Sequence, residues 1–86
     1  MTYTYRTKGT CSRQITVELD EQGIIQKVQF LGGCNGNTQG VARLCVGHPA
    51  QEVIHLLSGV DCNGRGTSCP DQLSKALKEA LAEQGA

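Results

Sequence analysis

The stretch from Arg13 to Phe30, RQITVELDEQGIIQKVQF, decides the fold. Ile15, Val17 and Leu19 alternate with Thr16, Glu18 and Asp20, the period-two pattern of a strand with one face buried. Asp20-Glu21-Gln22-Gly23 then reads as a turn, with Gly23 supplying the positive φ of a tight hairpin. The following run sets Ile24, Val28 and Phe30 on one face and Lys27 and Gln29 on the other, so a second strand returns antiparallel to the first. Before this hairpin, Tyr3 and Tyr5 alternate with Thr2, Thr4 and Arg6 in an edge strand that ends at Lys8-Gly9.

Past Gly32-Gly33 the period changes from strand to helix. Val41, Leu44 and Cys45 stand at i, i+3 and i+4, with Asn37 and Thr38 as candidate caps, Gly40 as a weak point and Gly47 as a stop. Pro49 suits the first position of a second helix whose stripe is Val53, Leu56 and Leu57. The last helix carries the strongest signal: Leu73, Ala76, Leu77, Ala80 and Leu81 form one stripe, and Asp71 and Lys75 make an i,i+4 pair. Its start is punctuated by Ser68-x-x-Asp71 as a capping box, or by Cys69 as cap with Pro70 in the first turn. Strands first and helices afterwards predict an α+β domain, a three-stranded antiparallel sheet with about three helices on one face. At 86 residues the chain, 1–86, is read as one domain.

Composition narrows the function classes. Hydrophobic residues make up 38% and Gly another 11 positions, about half the chain together, so it folds rather than remaining disordered. One Phe, two Tyr and no Trp leave few large side chains for the core, so a metal or a subunit contact would add useful stability. Eight basic residues balance eight acidic ones with no basic cluster, which argues against nucleic acid and against an anionic membrane surface. No apolar run reaches the roughly 18 residues of a membrane span, and Met1 to Thr10 lacks a secretory core, so the expected location is the reducing cytoplasm.

Five cysteines are many for such a compartment, and an odd number cannot all pair within one chain. Cys45 sits on a helical apolar stripe and reads as a small core hydrophobe. The other four lie at element boundaries: Cys11 before the second strand, Cys34 after the third, Cys62 in a Gly-rich loop and Cys69 at a helix start. Hairpin geometry brings the start of one strand beside the end of the next, so Cys11 and Cys34 are expected to be neighbours. The glycines of Cys62-Asn63-Gly64-Arg65-Gly66-Thr67-Ser68-Cys69 let that segment fold back and bring its two thiols together. Four thiolates suit tetrahedral zinc or, alternatively, an iron–sulfur cluster, and the helix N-terminus stabilises the thiolate of Cys69. Thiol redox chemistry is the other use of such residues.

His48 and His55 read as surface or capping residues, Asp61 and Asp71 as turn and cap residues that would also support ligands, and Arg13 and Arg65 as cations near the cysteines. No glycine-rich phosphate loop of the dinucleotide or Walker type occurs, and Gly32-Gly33-Cys34-Asn35-Gly36-Asn37 reads as a turn.

Thr67-Ser68-Cys69-Pro70-Asp71 resembles the signature of the TSCPD domain family. Gly9-Thr10-Cys11-Ser12, Gly32-Gly33-Cys34-Asn35-Gly36-Asn37 and Gly59-x-Asp61-Cys62 resemble its other blocks. The family includes short stand-alone chains and segments of ribonucleotide reductases, notably cobalamin-dependent ones. That resemblance implies an accessory role in deoxynucleotide synthesis, with a ribonucleotide reductase as partner, since 86 residues are too few for the reductase barrel. A thiol reductant for such an enzyme, cycling Cys62 and Cys69 through a disulfide, is one form of that role. More distantly, the placement of Cys11, Cys34 and Cys69 resembles the three ligands of U-type iron–sulfur cluster assembly scaffolds. Arg13 stands where those scaffolds carry a ligating Asp, and Cys62 offers a fourth thiolate, so a closed zinc site is the leading expectation. A homodimer through the sheet or helices is the binding-only expectation.

Overall fold

The computed structural model describes residues 1–7, 12–32, 35–60 and 69–85, with the backbone alone for Ser12 and residues 35–38. Strands β1 (Thr2–Arg6), β2 (Ser12–Leu19) and β3 (Ile25–Gly32) precede helices α1 (Asn35–Cys45), α2 (Ala50–Leu57) and α3 (Cys69–Gly85). The strands form one antiparallel sheet in the order β1-β2-β3. The expected α+β arrangement is therefore what the chain adopts.

The β2–β3 turn is held by Asp20, whose Oδ1 accepts the backbone N–H groups of Gln22 and Ile24 at 2.9 Å each. Gly23 takes φ 81°, a left-handed conformation that costs a residue with a Cβ. On β2 the expected face is buried: Ile15, Val17 and Leu19 are almost completely covered. On β3 the expectation needs correcting. Glu18 pairs with Lys27 but Leu19 pairs with Ile25, so Gln26 is an extra residue. A bulge of this kind reverses the side-chain parity on either side of it. Ile25, not Ile24, therefore joins Val28 in the core, while Ile24 bridges to Pro49.

The helices also depart from the simplest pattern. α1 begins at Asn35, so Asn37 and Thr38 lie within it rather than before it. Cys45 is buried and Val41 and Ala42 pack against the core, but Leu44 is 77% exposed. The chain after α1 is fixed by hydrogen bonds from Gly47 N–H to the Ile25 carbonyl and from Ile25 N–H to the His48 carbonyl, 2.8 and 2.9 Å long. These ties select the face of α1 that meets β3. Pro49 is the N-cap of α2, one place earlier than expected, and Ala50 N–H donates to the Gly23 carbonyl at 2.8 Å. That anchor rotates α2 so that Ala50, Val53 and Ile54 are buried, with Leu57 partly so, while Leu56 is 65% exposed.

α3 follows its pattern closely. Leu73, Ala76, Leu77 and Ala80 are fully buried, and Leu81 packs at the edge of the same cluster. At burial worth about 1.5–3 kcal/mol per large aliphatic side chain, this stripe is the principal lid on the sheet. Two polar contacts orient it: the Tyr3 hydroxyl donates to Glu79 Oε1 at 2.8 Å, and Gln84 Nε2 donates to the Asp20 carbonyl at 2.6 Å. Among the described residues no helix is long and apolar enough to cross a membrane.

The turn supplies the first prediction. A Cβ at Gly23 would sit 3.4 Å from a Leu81 methyl on a left-handed backbone. Gly23→Ala should destabilise the domain by about 1–2 kcal/mol, lowering the thermal midpoint by roughly 4–8 °C for each kcal/mol, as read by calorimetry. An unchanged midpoint would show that the turn relaxes without cost.

Candidate functional site

The candidate site lies at the end of the sheet opposite the β2–β3 turn. There Ser12, the first residue of β2, is the pairing partner of Gly32, the last residue of β3. Just inside that pair, Gln14 pairs with Leu31, leaving Arg13 as an extra residue. The resulting irregularity increases local twist where the strands begin and end. The direction of α3 brings its first turn to the same end. Gln84 is tied to Asp20 at the far end of the sheet, and at 1.5 Å per residue the helix axis carries Cys69 about 22 Å back from there. The run of β2 from Asp20 to Ser12 covers about 26 Å in the same direction.

The tyrosines report the same orientation. Tyr3 is bonded to Glu79, and this bond is the main reason its hydroxyl holds its proton above the usual phenol range. The Tyr5 hydroxyl is also shifted upward, first by burial, then by the carboxylates of Glu79 and Asp71. From Tyr3 to Tyr5 the neighbouring helical carboxylates thus move toward the start of α3.

Asp71, in the first turn of α3, is buried, and its Oδ1 accepts the backbone N–H of Gly59 at 2.7 Å. Its Oδ2 lies 3.7 Å from Lys75 Nζ. The i,i+4 pair expected from the sequence is present, and the carboxylate also favours the positive end of the helix. The contact with Gly59 is new information. It ties the segment following α2 to the start of α3, a link between residues that no spacing rule in the sequence identifies. The Ser74 hydroxyl donates to the Asp71 carbonyl at 2.6 Å, tightening the same turn.

Of the four expected ligands, Cys69 is in the described structure, half-buried at the first position of α3. Cys11, Cys34 and Cys62 lie outside the described residues, as do Asp61, Arg65 and Ser68. Among the described residues there is no cluster of three or more His, Cys, Asp or Glu side chains suited to a metal. Cys45 belongs to the core, 5% exposed, and burial raises its thiol above the ordinary range. Arg13 and His55 are exposed, and His48 Nδ1 lies 3.3 Å from Glu52 Oε1 on an exposed stretch at the start of α2.

These observations define a class: a small α+β domain in which strand ends and a cysteine-initiated helix gather at one end of the sheet. The model of the TSCPD domain matches residues 1–81, and the chain belongs to that family. No curated protein and no solved structure gives a significant match.

Asp71 and Cys45 each make a prediction. Asp71→Ala removes the acceptor of the Gly59 N–H and should cost about 1.5–3 kcal/mol in urea unfolding, whereas Asp71→Asn, which keeps an oxygen there, should cost less. Equal losses would show that charge, not the hydrogen bond, is what matters. In the folded protein Cys45 should resist alkylation while it reacts readily in urea, as peptide mapping by mass spectrometry will read. Rapid labelling of native Cys45 would contradict its burial.

Proposed function

We propose that the chain is a cysteine-ligated metal-binding domain in which Cys11, Cys34, Cys62 and Cys69 hold one ion, zinc in the first instance. The observation that carries this reading is the gathering of element ends on one side: Ser12 opposite Gly32, the first turn of α3, and Gly59 bound to Asp71. Cys11 is covalently joined to Ser12, Cys34 to Asn35, and Cys62 follows Val60 by two residues. Four ligands remote in sequence are thereby tethered to neighbouring anchors. Four sulfurs close a tetrahedral site with no position open for substrate.

The role that follows is structural. Bound zinc contributes apparent free energies of about 10–16 kcal/mol in small peptides, comparable with the roughly 4–13 kcal/mol expected for a whole domain of this size. Such a staple would secure a domain with few aromatic side chains, making it an accessory module rather than an enzyme. Its resemblance-based partner is a ribonucleotide reductase, and its pathway deoxynucleotide synthesis. An iron–sulfur cluster is the alternative occupant of the same thiolates.

Protein prepared without a histidine tag should contain about one zinc per chain by elemental analysis, with Zn–S distances near 2.3 Å by X-ray absorption. Cys34→Ser, Cys62→Ser and Cys69→Ser should each reduce occupancy, and Cys45→Ser should not. Visible charge-transfer absorption with iron and sulfide would transfer the site to a cluster. A metal-free chain that unfolds at the same temperature with and without excess chelator would overturn the reading.

A further inference from the structure

Gly59 and Cys69 stand at the two ends of the segment that carries Cys62, and one buried carboxylate fastens those ends to each other. The contact is built from both sides. After α2 the chain makes a type II turn over residues 57–60: Ser58 takes φ −62° and ψ 131°, Gly59 takes φ 84°, and Val60 N–H donates to the Leu57 carbonyl at 3.3 Å. The Ser58 hydroxyl donates to the Ile54 carbonyl at 2.6 Å, holding the turn to the helix end. A type II turn needs positive φ at its third residue, and its own hydrogen bond uses the N–H of the fourth. The N–H of the third, Gly59, is the one that Asp71 Oδ1 accepts at 2.7 Å. On the other side, Asp71 is 6% exposed in the first turn of α3, and the Ser74 hydroxyl donates to its carbonyl. A charged acceptor shielded from water in this way makes a strong bond.

We infer, on the reading that Cys62 and Cys69 serve one site, that Asp71 is a positioning residue for it. By holding Gly59 against the first turn of α3, Asp71 sets the span that residues 60–68 bridge, and with it the local concentration of the Cys62 thiol at Cys69. Cys69 and Asp71 share one helical turn, so a bond to one residue places the other. Ser58, Gly59 and Val60 are exposed, so apolar packing contributes little to holding this turn in place. A segment of nine residues with one end free to swing spends closure entropy each time its thiol meets a partner at the other end. With both ends fastened, most of that cost is met on folding, before any ligand arrives.

Metal-free full-length protein equilibrated with glutathione and glutathione disulfide tests this without a metal. The Cys62 and Cys69 thiols give two protons and two electrons to one glutathione disulfide, forming one intramolecular disulfide and releasing two glutathione molecules. Peptide mapping by mass spectrometry reads the oxidised fraction, and so the effective concentration of one thiol at the other. The pair should oxidise in the parent chain, and Asp71→Ala should lower that concentration about tenfold, near the lower end for a bond to a charged group. Gly59→Ala has open space around it but a strained backbone, so it should act similarly from the other side of the contact. The two changes together should be no worse than the worse of them alone. Asp71→Asn keeps an acceptor oxygen and should lose less than about threefold. Gly23→Ala destabilises the domain from the far turn and should leave the equilibrium unmoved, which separates positioning from a general loss of stability. Competition with a chromophoric zinc chelator should rank the same variants in the same order. A pair that never oxidises, an equilibrium indifferent to Asp71→Ala, or an equal shift in Gly23→Ala would overturn the positioning role. Zinc binding that ignores both Asp71 and Gly59 would do the same while the metal reading stands. The expected thiol pattern in a chain that binds no zinc would overturn the metal reading alone.

Discussion

The pairing of β2 with β3 is the constraint on which the remaining structure depends. Because side chains alternate along a strand, one register places Ile15, Val17 and Leu19 on the same side, and a slip of a single residue would turn all three to water. Asp20 and Gly23 fix that register at the turn. The bulge at Gln26 then lets β3 contribute Ile25 and Val28 to the same side despite their odd spacing. Once that face exists, the stripe of α3 has one surface to cover. The contact of Gln84 with Asp20 sets its direction along the sheet.

That direction determines where chemistry is available. A helix lying the other way would put Cys69 beside the Asp20 turn, remote from Ser12 and Gly32. As it lies, the positive end of α3, the open ends of β2 and β3, and the Gly59–Asp71 link share one side of the molecule. The two described cysteines accordingly meet opposite environments. Cys45 is surrounded by core residues and its thiol is pushed up by burial, conditions that suppress thiolate. Cys69 starts α3 and is only half-buried, so its side chain is partly open to solvent where that of Cys45 is not.

The sequence makes the element types and their order legible because the signals are local. Alternation in β2, the Asp20–Gly23 turn and the stripe of α3 each depend on residues within one element, and each agrees with the fold. What escapes are consequences of one element anchoring another. The burial of Ile25 in place of Ile24 follows from a bulge, which periodicity cannot display. Ile54 replaces Leu56 on the inner face of α2 because Ala50 and Pro49 are fastened to the hairpin, a tertiary contact. Of the candidate site, the start of α3 at Cys69 and the pairing of its flanking strands were readable, whereas the reach of Asp71 to Gly59 was not.

The outward leucines bear on how a domain of this size is assembled. Leu44 and Leu56, 77% and 65% exposed, add little to the core, so the inner faces of α1 and α2 rest on Val41, Cys45, Val53 and Ile54. α1 is also the least self-sufficient helix, with Gly36 and Gly40 within its span. Cys45 and Val41 fasten it to the core, while Leu44 on its outer side adds nothing to that attachment.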